Sequence, residues 1–267
     1  MKEQCAALTI AGSDSGGGAG IQADLKTFSA YGVFGTTAIT AITAQTLASV
    51  YQFETLSLPI ISKQITSALA EFHVRAVKTG MLVSSEIIET VFNALNLPEN
   101  KNIPLVVDPV FIATSGSRLI DEAAVETLIG VLFKRALVIT PNIPEAQAIS
   151  GQNIENVKDL EQVGKELFSR LGVSVLMKGG HLDYRNHTAL DILVYSGGIK
   201  YYESPMISNV NTHGSGCTLS AAITAGLASG LELPQAVKSA KEFITRSLEN
   251  PVLLAPGVRV INHFHNR

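Results

Sequence analysis

Only two cysteines occur in the 267 residues, Cys5 and Cys217, and they lie far apart in the chain. A disulfide framework or a thiolate metal cluster cannot be built from them, and the usage fits a reducing cytoplasm. No basic surplus exists: 20 Lys and Arg stand against 23 Asp and Glu, a net charge of −3. A large nucleic-acid footprint is therefore excluded. No apolar run is long enough to span a membrane. Residues 27–53 carry no charge, but Thr36, Thr37, Thr40, Thr43, Gln45 and Thr46 make them too polar, and Leu219 to Leu231 is short and broken by Gly226 and Gly230. The start MKEQ and the brief apolar run before Asp14 do not resemble a signal peptide. Two nucleotide-binding fingerprints are also missing. The Gly16–Gly20 cluster would need glycine where Ile21 stands to match G-x-G-x-x-G, and neither Lys26-Thr27 nor Lys78-Thr79 follows the glycine of a P-loop.

What is present is globular: hydrophobic residues make up 46% and charged residues 16%. Short apolar runs alternate with amphipathic segments. Residues 6–11, 38–43, 74–79, 105–107, 136–140 and 173–178 predict buried strands, with weaker strands near 191–195 and 200–203. Helices are predicted from Gly20, where Ile21, Leu25 and Phe28 share a face, from Ser62, from Ser84 or Ser85, from Asp121 to Phe133, over 157–171, over 214–229 and over 234–248. Strands alternating with helices imply an α/β domain, a mostly parallel sheet with helices on both faces. No repeat or linker interrupts it, so residues 1–267 read as a single domain. In such a sheet ligands gather at the carboxyl ends of the strands. The polar and glycine-rich residues Gly12-Ser13-Asp14, Gln45, Gly80-Met81, Asp108, Asn142 to Glu145 and Lys178-Gly179-Gly180 all follow strand ends, which points to one site.

Each of these residues has an ordinary structural reading beside the chemical one. Gly16 to Gly20 is a flexible turn, or a loop that lets a ligand touch its backbone. The turn Thr212-His213-Gly214-Ser215-Gly216 is a helix cap, or an anion site in which free N–H groups and the helix dipole stabilise phosphoryl charge. Cys217, in the first turn of that helix, is a buried core thiol or a base whose pKa the helix terminus lowers. Lys178 is a solvated strand end or a phosphate neutraliser. Asp108 and Glu145 are caps, Glu145 with Asn142 having capping-box spacing, or carboxylates that hold magnesium through water. The His263-x-His265 pair reads as a solvated tail, and His181, His187 and His213 show no ligand spacing.

Together these stretches resemble the ribokinase-like kinases of vitamin metabolism, most closely the hydroxymethylpyrimidine/phosphomethylpyrimidine kinases of thiamine biosynthesis. The resemblance rests on the block from Ala7 to Thr27, on Ala38 to Gln45, Lys78 to Leu82, Val107 to Val110, Thr140-Pro141-Asn142, Leu176 to His181 and Asn211 to Ile223, which follow in order along nearly the whole chain. It implies ATP-dependent phosphorylation of a pyrimidine CH2OH group and then of the monophosphate, with ATP and Mg2+ as cofactors. Gly12, Ala19, Asp24, Gln45, Met81 and Val110 would surround the pyrimidine. Asn142, Lys178, Thr212 and Ser215 would meet the nucleotide, and Asp108 and Glu145 the metal. Cys217, Lys178, Gly214 and Gly216 would carry catalysis, with Cys217 replacing the aspartate base of sugar kinases. The first strand runs straight through its loop into a helix, leaving no room there for a separate lid domain. The resemblance also implies a cytoplasmic homodimer with no nucleic-acid or membrane partner. Pyridoxal kinase, alone or as a second activity of the same chain, is the rival reading, and a non-catalytic ligand-binding homologue is another.

Overall fold

The computed structural model describes residues 4–47, 49–111, 120–180, 182, 187–208 and 210–265. His181 of the Lys178-Gly179-Gly180-His181 block lies outside them. The strands are β1 (Ala6–Asp14), β2 (Phe34–Gln45), β3 (Val50–Thr55), β4 (Val74–Thr79), β5 (Leu105–Val107), β6 (Val138–Ile139), β7 (Ser174–Lys178), β8 (Thr188–Tyr195) and β9 (Gly198–Pro205). They form one sheet in the order β3-β2-β1-β4-β5-β6-β7-β8-β9. From β2 to β7 the pairing is parallel; the pairs β2–β3, β7–β8 and β8–β9 are antiparallel. A two-stranded ribbon, β10 (Val252–Ala255) and β11 (Val258–Val260), follows.

The apolar spacing of the sequence decides where the helices pack. α2 (Leu58–Glu71), α3 (Ser85–Leu95), α4 (Glu122–Thr127), α5 (Ile143–Ser150) and α6 (Val157–Leu171) bury Ile61, Ile65, Ile88, Val91, Ala146, Val163 and Leu167 on one face of the sheet. α1 (Gly20–Ala30), α7 (Ser215–Ala228) and α8 (Leu233–Glu249) cover the other, through Phe28, Ala221, Ala225, Ala236 and Phe243. Polar caps set several ends. Asp121 accepts the N–H of Ala124 at 2.8 Å, and Asn156 accepts those of Lys158 and Asp159. Gly172 closes α6 with φ 70°.

Three expectations shift. α2 starts at Leu58 after Ser57, not at Ser62, because Pro59 is tolerated in a first turn. The helix opened by Asp121 loosens into a π-turn over Leu128–Leu132 and a 3-10 turn over Phe133–Arg135. The His263-x-His265 tail is no solvated end: His263 is buried, with Nε2 3.0 Å from Thr218 Oγ1. Among the described residues no helix is long and apolar enough to cross a membrane.

Candidate active site

Strand β1 has β2 on one side and β4 on the other, so the strand order reverses there. A crevice opens at such a reversal, beyond the carboxyl ends of the strands. Here it is a cavity of about 630 Å³. Gly12, Ala19, Gln45, Met81 and Val110 line it together with Asp108, Asn142, Glu145, Lys178, Thr212, Gly214, Ser215, Gly216 and Cys217. Asp24 does not line it. Its wholly buried carboxylate accepts from Lys78 Nζ at 2.7 Å and from Thr9 Oγ1 at 2.6 Å, so it has no face left for a ligand. That corrects the expectation of a pyrimidine contact.

One end of the cavity is built from the loop after β1. Asp14 Oδ1 accepts the N–H of Gly16 at 2.7 Å, and its Oδ2 those of Gly18 and Ala19 at 3.0 and 2.8 Å. Three N–H groups of the first glycine-rich loop are thus spent on its own carboxylate, and that of Gly17 on the Asp14 carbonyl. Burial pushes the Asp14 carboxyl up, but hydrogen bonds from His213, Gln45, Ala19 and Gly16 outweigh it and hold the group down at about 2. Ser15 Oγ donates to the carbonyl of Gln45 and accepts from its N–H, at 3.0 and 2.9 Å, which pins the end of β2 to this loop. Gly20 makes the turn possible: with φ 56° it starts α1 where a Cβ would stand 2.3 Å from the Gly12 carbonyl oxygen. Across the crevice, Thr40 Oγ1 donates to the carbonyl of Met81 at 2.7 Å. The next turn contains Val83 at φ 65°, a strained backbone for a β-branched residue.

The other end gathers charge. Lys178, at the end of β7, places Nζ 2.9 Å from Asp108 Oδ1 and 3.9 Å from Glu145 Oε2. Asp108 also accepts from Thr140 Oγ1 at 2.9 Å and Ser220 Oγ at 3.1 Å. Burial would push Lys178 down, but the charges of Asp108 and Glu145 hold its ammonium above the ordinary lysine range. The capping-box reading of Asn142 and Glu145 is realised in full: each accepts the other's backbone N–H, at 2.9 and 2.7 Å. The same Glu145 faces the cavity. Burial pushes its carboxyl up to about 7 against the pull of Lys178, and the Asp108 charge adds to the rise.

No three-ligand cage of His, Cys, Asp or Glu exists among the described residues. Two buried carboxylates facing one cavity nevertheless suit a hard cation that keeps most of its waters, as Mg2+ does. The donor set therefore fits the metal that the resemblance implies.

The turn into α7 closes this end. Gly214 holds φ 81°, and Lys178 Nζ lies 3.3 Å from where a Gly216 Cβ would stand. Cys217 follows, half-buried at the cavity wall. The expected drop in its pKa is reversed. Burial pushes the thiol up to about 11; Lys78 pulls it down, while Asp24 and Asp108 push it further up. Desolvation outweighs the pull of Lys78 and of the Gly20 N–H.

Sequence reasoning missed three groups. Lys78 borders the cavity; burial pushes its ammonium down, but the charges of Asp24, Cys217 and Asp108 and the hydrogen bond to Asp24 together hold it above the ordinary range. Lys241 and Asp191, paired at 2.8 Å, also line it, and Asp191 accepts the N–H of Gly179 at 3.2 Å. His213 lies 3.1 Å from Asp14. A lysine inside the apolar run Ala76-Val77-Lys78 was a usable signal, since it needs a buried partner.

The model of the phosphomethylpyrimidine kinase family matches residues 14–262. The chain belongs to that family. A hydroxymethylpyrimidine/phosphomethylpyrimidine kinase of Haemophilus influenzae is 44% identical over 259 residues, covering 96% of each chain. Among solved structures, a phosphomethylpyrimidine kinase of Clostridium difficile superposes with a TM-score of 0.79 at 49% identity, covering 91% of this chain and 98% of that one. An ADP complex of a Bacillus subtilis pyridoxal kinase superposes with a TM-score of 0.88 at 37% identity, covering 99% of both. The mostly parallel sheet flanked by helices is thus the ribokinase-like fold of this family.

Proposed function

We propose that the chain transfers the γ-phosphoryl group of ATP to the hydroxymethyl group of 4-amino-5-hydroxymethyl-2-methylpyrimidine, and then phosphorylates the monophosphate to the diphosphate. One observation carries this reading. A helix-terminal glycine turn, Lys178 and two buried carboxylates stand in the same cavity as the Gly12, Gln45 and Met81 wall. Phosphoryl transfer asks for alignment and charge neutralisation, and that arrangement supplies both. The N–H groups at Gly214 to Gly216, with Lys178, stabilise the transferring charge. Asn142, Thr212 and Ser215 border the nucleotide. Asp108 and Glu145 would hold Mg2+, which neutralises phosphate charge when bound. Cys217, in its ionised fraction, takes the proton of the attacking hydroxyl. Gly12, Ala19, Gln45, Met81 and Val110 enclose the ring.

The reading treats residues 1–267 as one kinase domain, supported by the continuity of the sheet from β3 to β9. It includes a cytoplasmic homodimer, which sedimentation of the purified protein checks. Consumption of ATP with the hydroxymethylpyrimidine and with pyridoxal, run side by side, tests the activity. Turnover on the pyrimidine with formation of mono- and diphosphate is expected. Turnover on pyridoxal alone would replace this reading with the pyridoxal one, and turnover on neither would leave a ligand-binding homologue.

A further inference from the structure

The two glycine-rich segments are in direct contact. A Cβ on Gly214 would stand 1.8 Å from the carbonyl oxygen of Gly18, so the turn before α7 rests directly on the loop after β1. Beside that contact, His213 Nε2 lies 3.1 Å from Asp14 Oδ2, the oxygen that also takes the N–H groups of Gly18 and Ala19. The imidazole covers Gly18, where a Cβ would meet its Cδ2 at 2.9 Å. His213 is itself held from behind, its backbone N–H donating to Asn211 Oδ1 at 2.8 Å. Lys26 Nζ donates to the carbonyl of Gly17 at 2.6 Å and braces the loop from α1.

The geometry points to His213 as a positioning residue that holds the pyrimidine loop in register with the phosphate turn. This rests on the reading above, in which Ala19 borders the ring and Gly214 to Gly216 the phosphates. Each element keeps its own internal hydrogen bonds without His213. What the imidazole adds is a side-chain tie between them, through the carboxylate that organises the whole loop. Transfer to a hydroxyl depends on the relative placement of the two ligands, and a displacement of about 1 Å can cost roughly 100-fold in rate. Removing the tie should therefore spare each binding step and slow the transfer.

The test compares His213→Ala, His213→Asn and His213→Gln in the full chain. Glutamine carries a donor nitrogen as many bonds from Cβ as the imidazole Nε2, so it can reach Asp14; asparagine is one bond too short. Dissociation constants for the hydroxymethylpyrimidine and for a non-hydrolysable ATP analogue are measured separately by calorimetry, and kcat by ATP consumption. The alanine and asparagine variants should lose about tenfold or more in kcat, with both dissociation constants within about threefold of the parent. The glutamine variant should recover most of kcat. Parental kcat in all three variants overturns the positioning role, and so does an equal loss in all three, which would assign the imidazole a direct contact with the reacting groups. Loss of either binding constant in step with kcat overturns it as well. Should the alanine variant not fold, the asparagine and glutamine pair decides alone. An unmodified chain that fails to phosphorylate the pyrimidine would instead sink the functional reading beneath the proposal.

Discussion

Lys78 and Asp24 form an ion pair at 2.7 Å in which neither side chain has any exposed surface. The pair bolts α1 to β4. Removing one partner strands the other charge in the core, which costs about 3–5 kcal/mol, whereas a well-packed apolar pair of similar size is often tolerated. Asp24→Asn should lower the thermal midpoint sharply, and Asp24→Leu combined with Lys78→Met should regain much of the loss. If Asp24→Asn melts like the parent, the pair does not hold the two elements together.

Cys217 gives a pH prediction of definite sign. Its thiol is pushed up to about 11 from an ordinary 9. The ionised fraction should then keep growing through the alkaline range. In a Cys5→Ser background, alkylation by iodoacetamide should quicken from pH 7 to pH 10 with no plateau. The rate of phosphorylation should rise with it, and Cys217→Ala should lower kcat about 100-fold or more. A plateau in alkylation near pH 7 would mean that the helix terminus wins over burial after all.

The framework of the fold could be read from the chain, because the six parallel strands are apolar runs ended by glycine, proline or a polar residue. What escaped reading were elements with little buried surface or little length. Strand β3 is exposed along nearly all its residues and β10 along all of them, so neither shows a core-facing pattern. The candidate site residues were chosen from polar groups at strand ends and from the turn into α7, and all but Asp24 line the cavity. Asp24 erred for a physical reason that the sequence does contain. It stands three residues after Ile21 and four before Phe28, on the buried stripe of α1, where a carboxylate must find a cation. Nothing local marked His213 or His263, whose partners Asp14 and Thr218 come from distant parts of the chain.

His263 should make the fold sensitive to mild acid. Burial pushes its pKa down from 6.5 to about 4, and the charges of Lys26 and His265 add to the fall. The unfolded chain therefore takes up this proton more readily than the folded one. The stabilising effect is whole above pH 6.5 and fades as pH falls toward 4, by up to about 3 kcal/mol. Urea unfolding of the parent and of His263→Gln should show a stability difference that shrinks over that window in the direction of the variant. A difference independent of pH would show that His263 titrates normally.

On the proposed reading, Gln45 should set the choice of substrate. It ends β2, half-buried at the cavity wall, with its backbone fixed on both sides by Ser15 Oγ and its side chain hydrogen-bonded to Asp14. A carboxylate only accepts, so the amide nitrogen is the atom turned toward Asp14. The Gln45 carboxamide offers a carbonyl acceptor and an N–H donor along one planar edge. An aminopyrimidine presents an amino donor beside a ring-nitrogen acceptor, the complement of that edge, much as Gln or Asn reads adenine. Pyridoxal lacks an amino group next to its ring nitrogen and would leave part of the amide unpaired. An unpaired buried polar group costs about 1–3 kcal/mol, so the pyrimidine should be preferred roughly 10- to 100-fold. Gln45→Met removes the edge while keeping the length of the side chain. It should cut kcat/KM for the hydroxymethylpyrimidine by that factor and leave any turnover of pyridoxal unchanged or improved. Equal losses on both substrates would mean that Gln45 shapes the pocket without reading the ring.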